Sequence, residues 1–454
     1  IPTSNLQHGR KKSQQIFTVQ HQKIKSATSI FKMVLPLLNS NSPIVREAII
    51  TGLSSMNVNI YRAYIENIDK FLTSWKVSSS SNQMRVEMFH VLTILTRFLH
   101  EPTVSEDQWT LKRLSDILKH VKKFLEEDTI QYAYAYQPLR SYFADFLKSY
   151  YAVIKEVGLA NELFPFQARA SCFNYLKEWC GYGERAYVAE ERYSAMIKST
   201  GNSRDRTAMT AGIEFQKSRL EKLALETMVV LCSDPIRETL KDVPHMPIVV
   251  SFDTAGLLSW IEALFNAESE VIRAIGVRAL ENLLEKNREN AKIFRDVALQ
   301  CVSIHTRPDV GKFYFTTLCK VVLKMDDLIL EENELVSLGL CGLVSDKEDT
   351  RSYAVDLLSA VESQLHNSSY TKVFKERLAS SSKAVYKSTA KEISSIFAEL
   401  LPQEICSEIF SNLVRVLNLF QFDVKKDLLI LMVPWVNKFT LKAIDDPETF
   451  VALN

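Results

Sequence analysis

Thiolate chemistry needs a cysteine beside a base, a second cysteine or a helix N-terminus. The seven cysteines, Cys172, Cys180, Cys232, Cys301, Cys319, Cys341 and Cys406, are spread along the chain and never spaced C-x-x-C. Cys180 follows Trp179 in an apolar stretch and reads as a core thiol. Metal chemistry needs clustered ligands, and the histidines at 8, 21, 90, 100, 120, 245, 305 and 366 form neither H-E-x-x-H nor a zinc-type Cys/His pattern. Acid–base chemistry needs two carboxylates held close. Glu331-Glu332-Asn333-Glu334, beside Asp326-Asp327, could supply them, but a place at a helix junction favours capping. A phosphate loop G-x-x-x-x-G-K-[ST] is absent, and Cys180-Gly181-Tyr182-Gly183 reads as the end of a helix. No catalytic constellation emerges, so the expectation is a chain without enzymatic activity, cofactor or metal.

Basic side chains could do a different kind of work. Lys112, Arg113, Lys119, Lys122 and Lys123 interleave with leucines, and Arg204, Arg206, Lys217, Arg219 and Lys222 flank another helical stretch. Such faces can meet RNA or phosphoinositides, but solvated helix surface is the usual outcome, and no aromatic interleaving accompanies them. The overall balance, 55 Lys+Arg against 54 Asp+Glu, marks no polyanion binder. Trp75, Trp109, Trp179, Trp260 and Trp435 show no period, unlike the Trp/Asn ladder of a karyopherin-like adaptor.

The elements that would carry any such surface are helices. Gly and Pro number 12 and 13 in 454 residues, about half the usual share of roughly 12%. Sheets and barrels need more turn residues than that. Ile60, Tyr64, Ile68, Phe71, Leu72 and Trp75 recur at three and four, as do Leu111, Leu114, Ile117, Leu118, Val121 and Leu125. Leu220, Leu223, Met228 and Leu231 form a third stripe, with Leu225 off it. Ile248-Val249-Val250 is the nearest approach to a strand. About 18 helices and no strands are expected. The best apolar run, Leu428 to Trp435, is far short of the roughly 20 residues of a membrane span.

Four segments share a small polar turn followed by a helix opening on a similar pattern. They are Asn41–Ala48, Glu268–Ile275, Asp346–Tyr353 and Ser381–Ser388, with key positions Arg46, Arg273, Arg351 and Tyr386. The last three are 78 and 35 residues apart, two periods and one period of about 40, the HEAT/armadillo range. A capping residue at the turn, a small residue one turn in, and an Arg able to reach an acidic residue of the neighbouring repeat make a helix pair that buries its stripe only by stacking. The fold expected is an all-α, HEAT/armadillo-like α-solenoid of stacked antiparallel helix pairs. Its parts are a polar arm over 1–22, a helical-repeat block over 23–197, a loop-rich connection with one long helix over 198–251, and a HEAT-like block over 252–454. The first residue is Ile1 rather than Met, which suggests a piece of a longer polypeptide.

Several segments resemble the Furry family, the large cell-morphogenesis proteins called PAG/MOR in fungi. These are Leu35-Pro36-Leu37-Leu38 with Val45–Ile49, Leu163–Arg169 leading into Phe173–Gly181, Trp260 through Arg273 to Leu280, and Leu428–Trp435. They occur in family order from about 30 to 440. The animal relatives' arginine-rich run near Ser78–Asn82 is missing here, which favours a fungal member. The resemblance implies a scaffold that binds an NDR-class Ser/Thr kinase with its Mob coactivator and promotes its activation. It also implies other partners in the RAM-type morphogenesis network, and a cytoplasmic place at growth sites on the cell cortex. The competing expectation is a karyopherin-like, nucleic-acid or membrane adaptor solenoid. Neither reading assigns partner-binding residues.

Overall fold

Apolar spacing of three and four becomes helix throughout, and short polar turns become the joints between helices. The computed structural model describes residues 26–182, 186–199, 206–240, 248–304, 306–325, 329–366, 370–419 and 422–438. The arm 1–22, Gly183, Arg204, His245, His305 and Asp326-Asp327 lie outside the described residues. Among those described are 22 α-helices and one pair of short strands. Four of the helices are single turns of four residues, α5 (Pro102–Ser105), α7 (Asp128–Gln131), α9 (Ala160–Leu163) and α19 (Lys375–Leu378). The other 18 are longer; about 18 helices were expected in all.

Chain contacts divide the protein into two compact units. One runs to Ala168 and takes in Glu190–Ala224; the other comprises Arg169–Ala189 and the chain from Leu225 onward. In the first unit the long helices are α1 (Ala27–Val34), α2 (Pro43–Ser54), α3 (Tyr61–Leu72), α4 (Asn82–Ile94), α6 (Gln108–Leu125) and α8 (Gln137–Glu156). They pack in two rows, α1 on α3 on α6 and α2 on α4 on α8, with α3–α4 and α6–α8 contacts joining the rows. The stripe of α6 is buried at all six expected positions, Leu111 to Leu125. Each such side chain contributes about 2 kcal/mol of burial free energy. In α3, Tyr64, Ile68 and Leu72 are fully buried while Phe71 stays 38% exposed. Cross-row hydrogen bonds pin the packing: the Tyr64 hydroxyl donates to Met88 O at 3.0 Å, and the Tyr150 hydroxyl donates to Leu111 O at 2.9 Å.

Three helices are shared by the division, α10 (Phe166–Trp179), α11 (Ala186–Ser199) and α12 (Arg206–Leu231). Along α12, Ala224, Leu225, Thr227, Met228, Val229 and Leu231 are all buried. Leu225, placed off the stripe by its spacing, is therefore core, and Leu223 is only half-buried. A helix covered on several faces has no single stripe to read.

The second unit contains α13 (Thr254–Phe265), α14 (Glu270–Lys286), α15 (Ala291–Cys301), α16 (Pro308–Val322), α17 (Glu332–Leu343), α18 (Glu348–His366), α20 (Lys383–Leu400), α21 (Gln403–Leu417) and α22 (Phe422–Lys438). Consecutive helices pair as α13–α14, α15–α16, α17–α18 and α21–α22, and the pairs stack through α14–α16, α16–α18, α17–α21 and α20–α22. The single turn α19 takes the place of a full first helix, so α21 reaches α17 directly. Trp435 is fully buried, and its indole N–H donates to Ser394 Oγ at 2.8 Å. Together the contacts make an all-α stack of helix pairs, the α-solenoid architecture expected from the repeats. Strand β1 (Arg237–Leu240) pairs antiparallel with β2 (Ile248–Ser251) in the register Arg237↔Ser251. No strand was expected, and Ile248-Val249-Val250 was only the nearest approach to one; both strands, the first reading Arg-Glu-Thr-Leu, are ordered by main-chain pairing that side-chain pattern does not encode.

Candidate functional site

The four key positions share one place in the local structure. Arg46, Arg273, Arg351 and Tyr386 are each the fourth residue of their helix, α2, α14, α18 and α20. From there a side chain leans back over the turn before the helix. The carbonyls of that turn, at the end of the preceding helix, carry partial negative charge and lack intrahelical donors. Arg46 Nη1 donates to Ser40 O at 2.7 Å, Arg273 Nη1 to Ala267 O at 2.7 Å, and Arg351 Nη1 to Ser345 O at 2.8 Å. In each case the acceptor lies six residues earlier. The guanidinium thus closes the hairpin between paired helices.

Arg351 does more than the others. It is 2% exposed, its Nε donates to Leu378 O at 2.6 Å, and its Nη2 donates to Ser380 O at 3.0 Å. Ser380 lies six before Tyr386, which has no guanidinium to offer it. The arginine of one repeat therefore serves the turn of the next, with its guanidinium 4.1 Å from the Tyr386 ring centroid. The Tyr386 hydroxyl donates to Asp346 Oδ1 at 2.8 Å. Burial, then the Asp346 carboxylate, pushes the Tyr386 phenol up; burial lowers Arg351. Of the arginines, Arg46 reaches a carboxylate of the neighbouring repeat, with Nε 3.4 Å from Glu87. At Arg273 and Arg351 the guanidinium donates to backbone carbonyls.

A serine belongs to the same device. Ser40, Ser345 and Ser380, each six before the key residue, accept from the amide two residues on, at 3.2 Å in all three cases. This pattern identifies a member that sequence reading missed, Arg85, the fourth residue of α4 and 39 residues after Arg46. Ser79 lies six before it and accepts from the Ser81 amide, while Arg85 donates to Ser79 Oγ at 2.9 Å and Phe71 O at 3.0 Å. Arg140 and Arg169 also stand fourth in α8 and α10, but they reach further, to Ile130 O and Leu231 O. At the repeat between Arg273 and Arg351 the fourth residue of α16 is Gly311.

Charged side chains beyond these join one helix to the next with alternating sign. Glu281 on α14 is 2.9 Å from Lys320 and 3.0 Å from Lys324 on α16. Lys312 on α16 is 2.5 Å from Asp349 on α18, Asp346 is 2.9 Å from Lys383 on α20, and Lys387 is 2.5 Å from Asp427 on α22. Burial works against the Glu281 carboxylate, but the lysine hydrogen bonds win and hold it below its ordinary value. Lys383 first, then Tyr386, does the same for Asp346.

The residues read for chemistry are placed structurally. Six of the seven cysteines are buried and Cys180 is half-buried, all as free thiols. Burial pushes Cys232 and Cys341 up to about 12, so these thiols stay protonated near neutrality. Glu331 caps α17 in a capping box with Glu334, whose carboxylate accepts from the Glu331 amide at 3.0 Å. Gly181, with φ of 76°, ends α10, and Tyr182 N donates to Lys177 O at 3.0 Å, the Schellman arrangement. On the first basic face, Arg113 and Lys119 share Asp116, and Lys122 pairs with Glu126. Among the described residues no group of three His, Cys, Asp or Glu could hold a metal, and no helix is long and apolar enough to cross a membrane.

The cell morphogenesis protein PAG1 of Saccharomyces cerevisiae is 67% identical over 454 residues, all of this chain and 19% of PAG1. The cell polarity protein mor2 of Schizosaccharomyces pombe is 26% identical over 94% of this chain and 20% of its own length. The chain therefore spans about a fifth of the length of these curated relatives. No family model matches it. A solved engineered protein aligns over 89% of this chain and 98% of its own, at 14% identity and a TM-score of 0.33.

Proposed function

The chain belongs to the Furry family of cell morphogenesis and polarity proteins, and on that premise we propose that it is a non-catalytic scaffold holding an NDR-class protein kinase with its Mob coactivator. The carrying observation is the match to PAG1 along all of a chain that folds as stacked helix pairs. Stacking leaves each unit a continuous helical surface, and a scaffold of that kind acts by raising effective concentration and fixing orientation. Its place is at sites of polarised growth on the cell cortex. The alternating lysine and carboxylate columns between α14 and α22 speak against a polyanion adaptor, because their charges neutralise one another locally.

Co-purification of this 454-residue chain with the kinase and Mob, side by side with the full-length protein, tests the reading. Retention of both partners by the chain, and a higher kinase activity in its presence, is the expected result. If the full-length protein retains them and this chain does not, the kinase-holding surface lies elsewhere and the proposal fails for this region.

A further inference from the structure

Helix α17 is buried at Asn333 and from Leu335 through Leu343, with Glu334 half-buried between them. Two cavities lined by residues of α17 and of its neighbours α15 and α21 share Arg295 and Leu330. The smaller, about 260 Å³, is apolar, lined by Leu299, Val302, Leu338 and Val416, with Arg415 at its edge. Leu299 is 64% exposed, an unusual state for a leucine on a packed helix. The larger, about 650 Å³, is polar, lined by Glu331, Glu332, Asn333 and Glu408.

The polar end is built for a cation. Glu331 is engaged by Arg295 at 3.2 Å, but Glu332 and Glu408 have no cationic partner among the described residues. Asn333 is only 8% exposed and donates its amide to Glu408, which leaves its Oδ1 buried with no donor among the described residues. A buried amide oxygen without a donor is costly, and two carboxylates beside it ask for the same kind of group. At the apolar end Arg415 has no acidic partner among the described residues, so the cleft carries opposite charge at its two ends.

We propose that this cleft docks a short peptide segment of a partner protein, in which a lysine or arginine stands beside a large aliphatic residue. The cation enters between Glu332 and Glu408, beside Asn333; the aliphatic side chain covers Leu299 and fills the apolar cavity. A carboxylate beyond it meets Arg415, which fixes the direction of the peptide. The inference goes beyond the kinase reading and does not depend on it, because the occupant is defined by its chemistry.

The probe is a displayed library of short random peptides selected on the whole chain, with affinities of synthetic copies read by fluorescence polarisation. Selected peptides should share a basic residue next to an aliphatic one. Their Kd should rise about tenfold or more with Glu332→Gln plus Glu408→Gln, and likewise with Leu299→Asp. Replacing the basic residue of the peptide by glutamate should abolish binding, an arm that leaves the protein untouched. Lys391→Glu, at an exposed position of α20 outside the cleft lining, should change nothing. An empty selection, peptides lacking the basic residue, or affinities that survive both cleft variants would overturn the proposal.

Discussion

Arg351 satisfies three backbone carbonyls in two successive turns from a position almost closed to solvent. Replacing it by methionine keeps volume but strands those acceptors, at a cost of about 3 kcal/mol. Arg273→Met, at a half-buried site serving the carbonyls of one turn, should cost nearer 1 kcal/mol. Urea midpoints of the two variants check the order, and equal shifts would refute the account. Acid should act through the carboxylates. Asp346 and Glu281 titrate below their ordinary values when folded, so the stability they contribute is present above the unfolded carboxylate range, near pH 4, and is lost as pH falls through the lowered folded values. Both stand partly in solvent, which reduces the contribution. The expected result is a urea midpoint flat from pH 7 to about 5 and falling below about 4, with Asp346→Asn showing a shallower fall.

Two glycines of α17 let neighbouring helices approach. A Cβ on Gly339 would lie 2.6 Å from Leu358 Cγ, and one on Gly342 would meet the Phe315 ring and sit 2.9 Å from Ala354 Cβ. Gly342→Ala and Gly339→Ala should each destabilise by about 1–3 kcal/mol through overpacking. Gly52 in α2 has nothing within 4 Å of its would-be Cβ, so Gly52→Ala should stabilise by about 0.5 kcal/mol. Thermal melts decide, and a stabilising Gly342→Ala would contradict the packing described. The same elements show what the sequence could reveal. All six positions that apolar spacing picked in α6 are buried, because the stripe marks the covered face, while Thr110, Ser115 and Phe124 are buried beside it. It failed on Leu225, where α12 is covered on several faces, and on β1, where pairing is made by the main chain. The key positions share a polar turn and a similar helix opening, whereas Arg85 follows Gln83-Met84 and is marked only by the serine six before it, whose role the sequence does not display. The cleft of α15, α17 and α21 was illegible, since its residues are 295 to 416 in the chain and meet only by stacking.

At the scale of the whole chain, stability in a stack of helix pairs is close to a sum of each pair's own terms and those with its immediate neighbours. A lesion is then felt by the helices it touches and fades along the stack. Arg351 makes this testable, because its three acceptors, Ser345, Leu378 and Ser380, flank α18 and α20. In Arg351→Met, amide hydrogen exchange should speed up in α17, α18 and α20, while α3, α4 and α6 of the other unit keep their native protection. A globular core would respond differently, since its helices open together and every protected amide would accelerate by a common factor. Exchange measured by mass spectrometry on peptides covering 61–125 and 332–400 separates these outcomes. Uniform acceleration would mean that the repeats do not behave as a one-dimensional stack, and the continuous helical surface on which the scaffold reading depends would lose its physical basis.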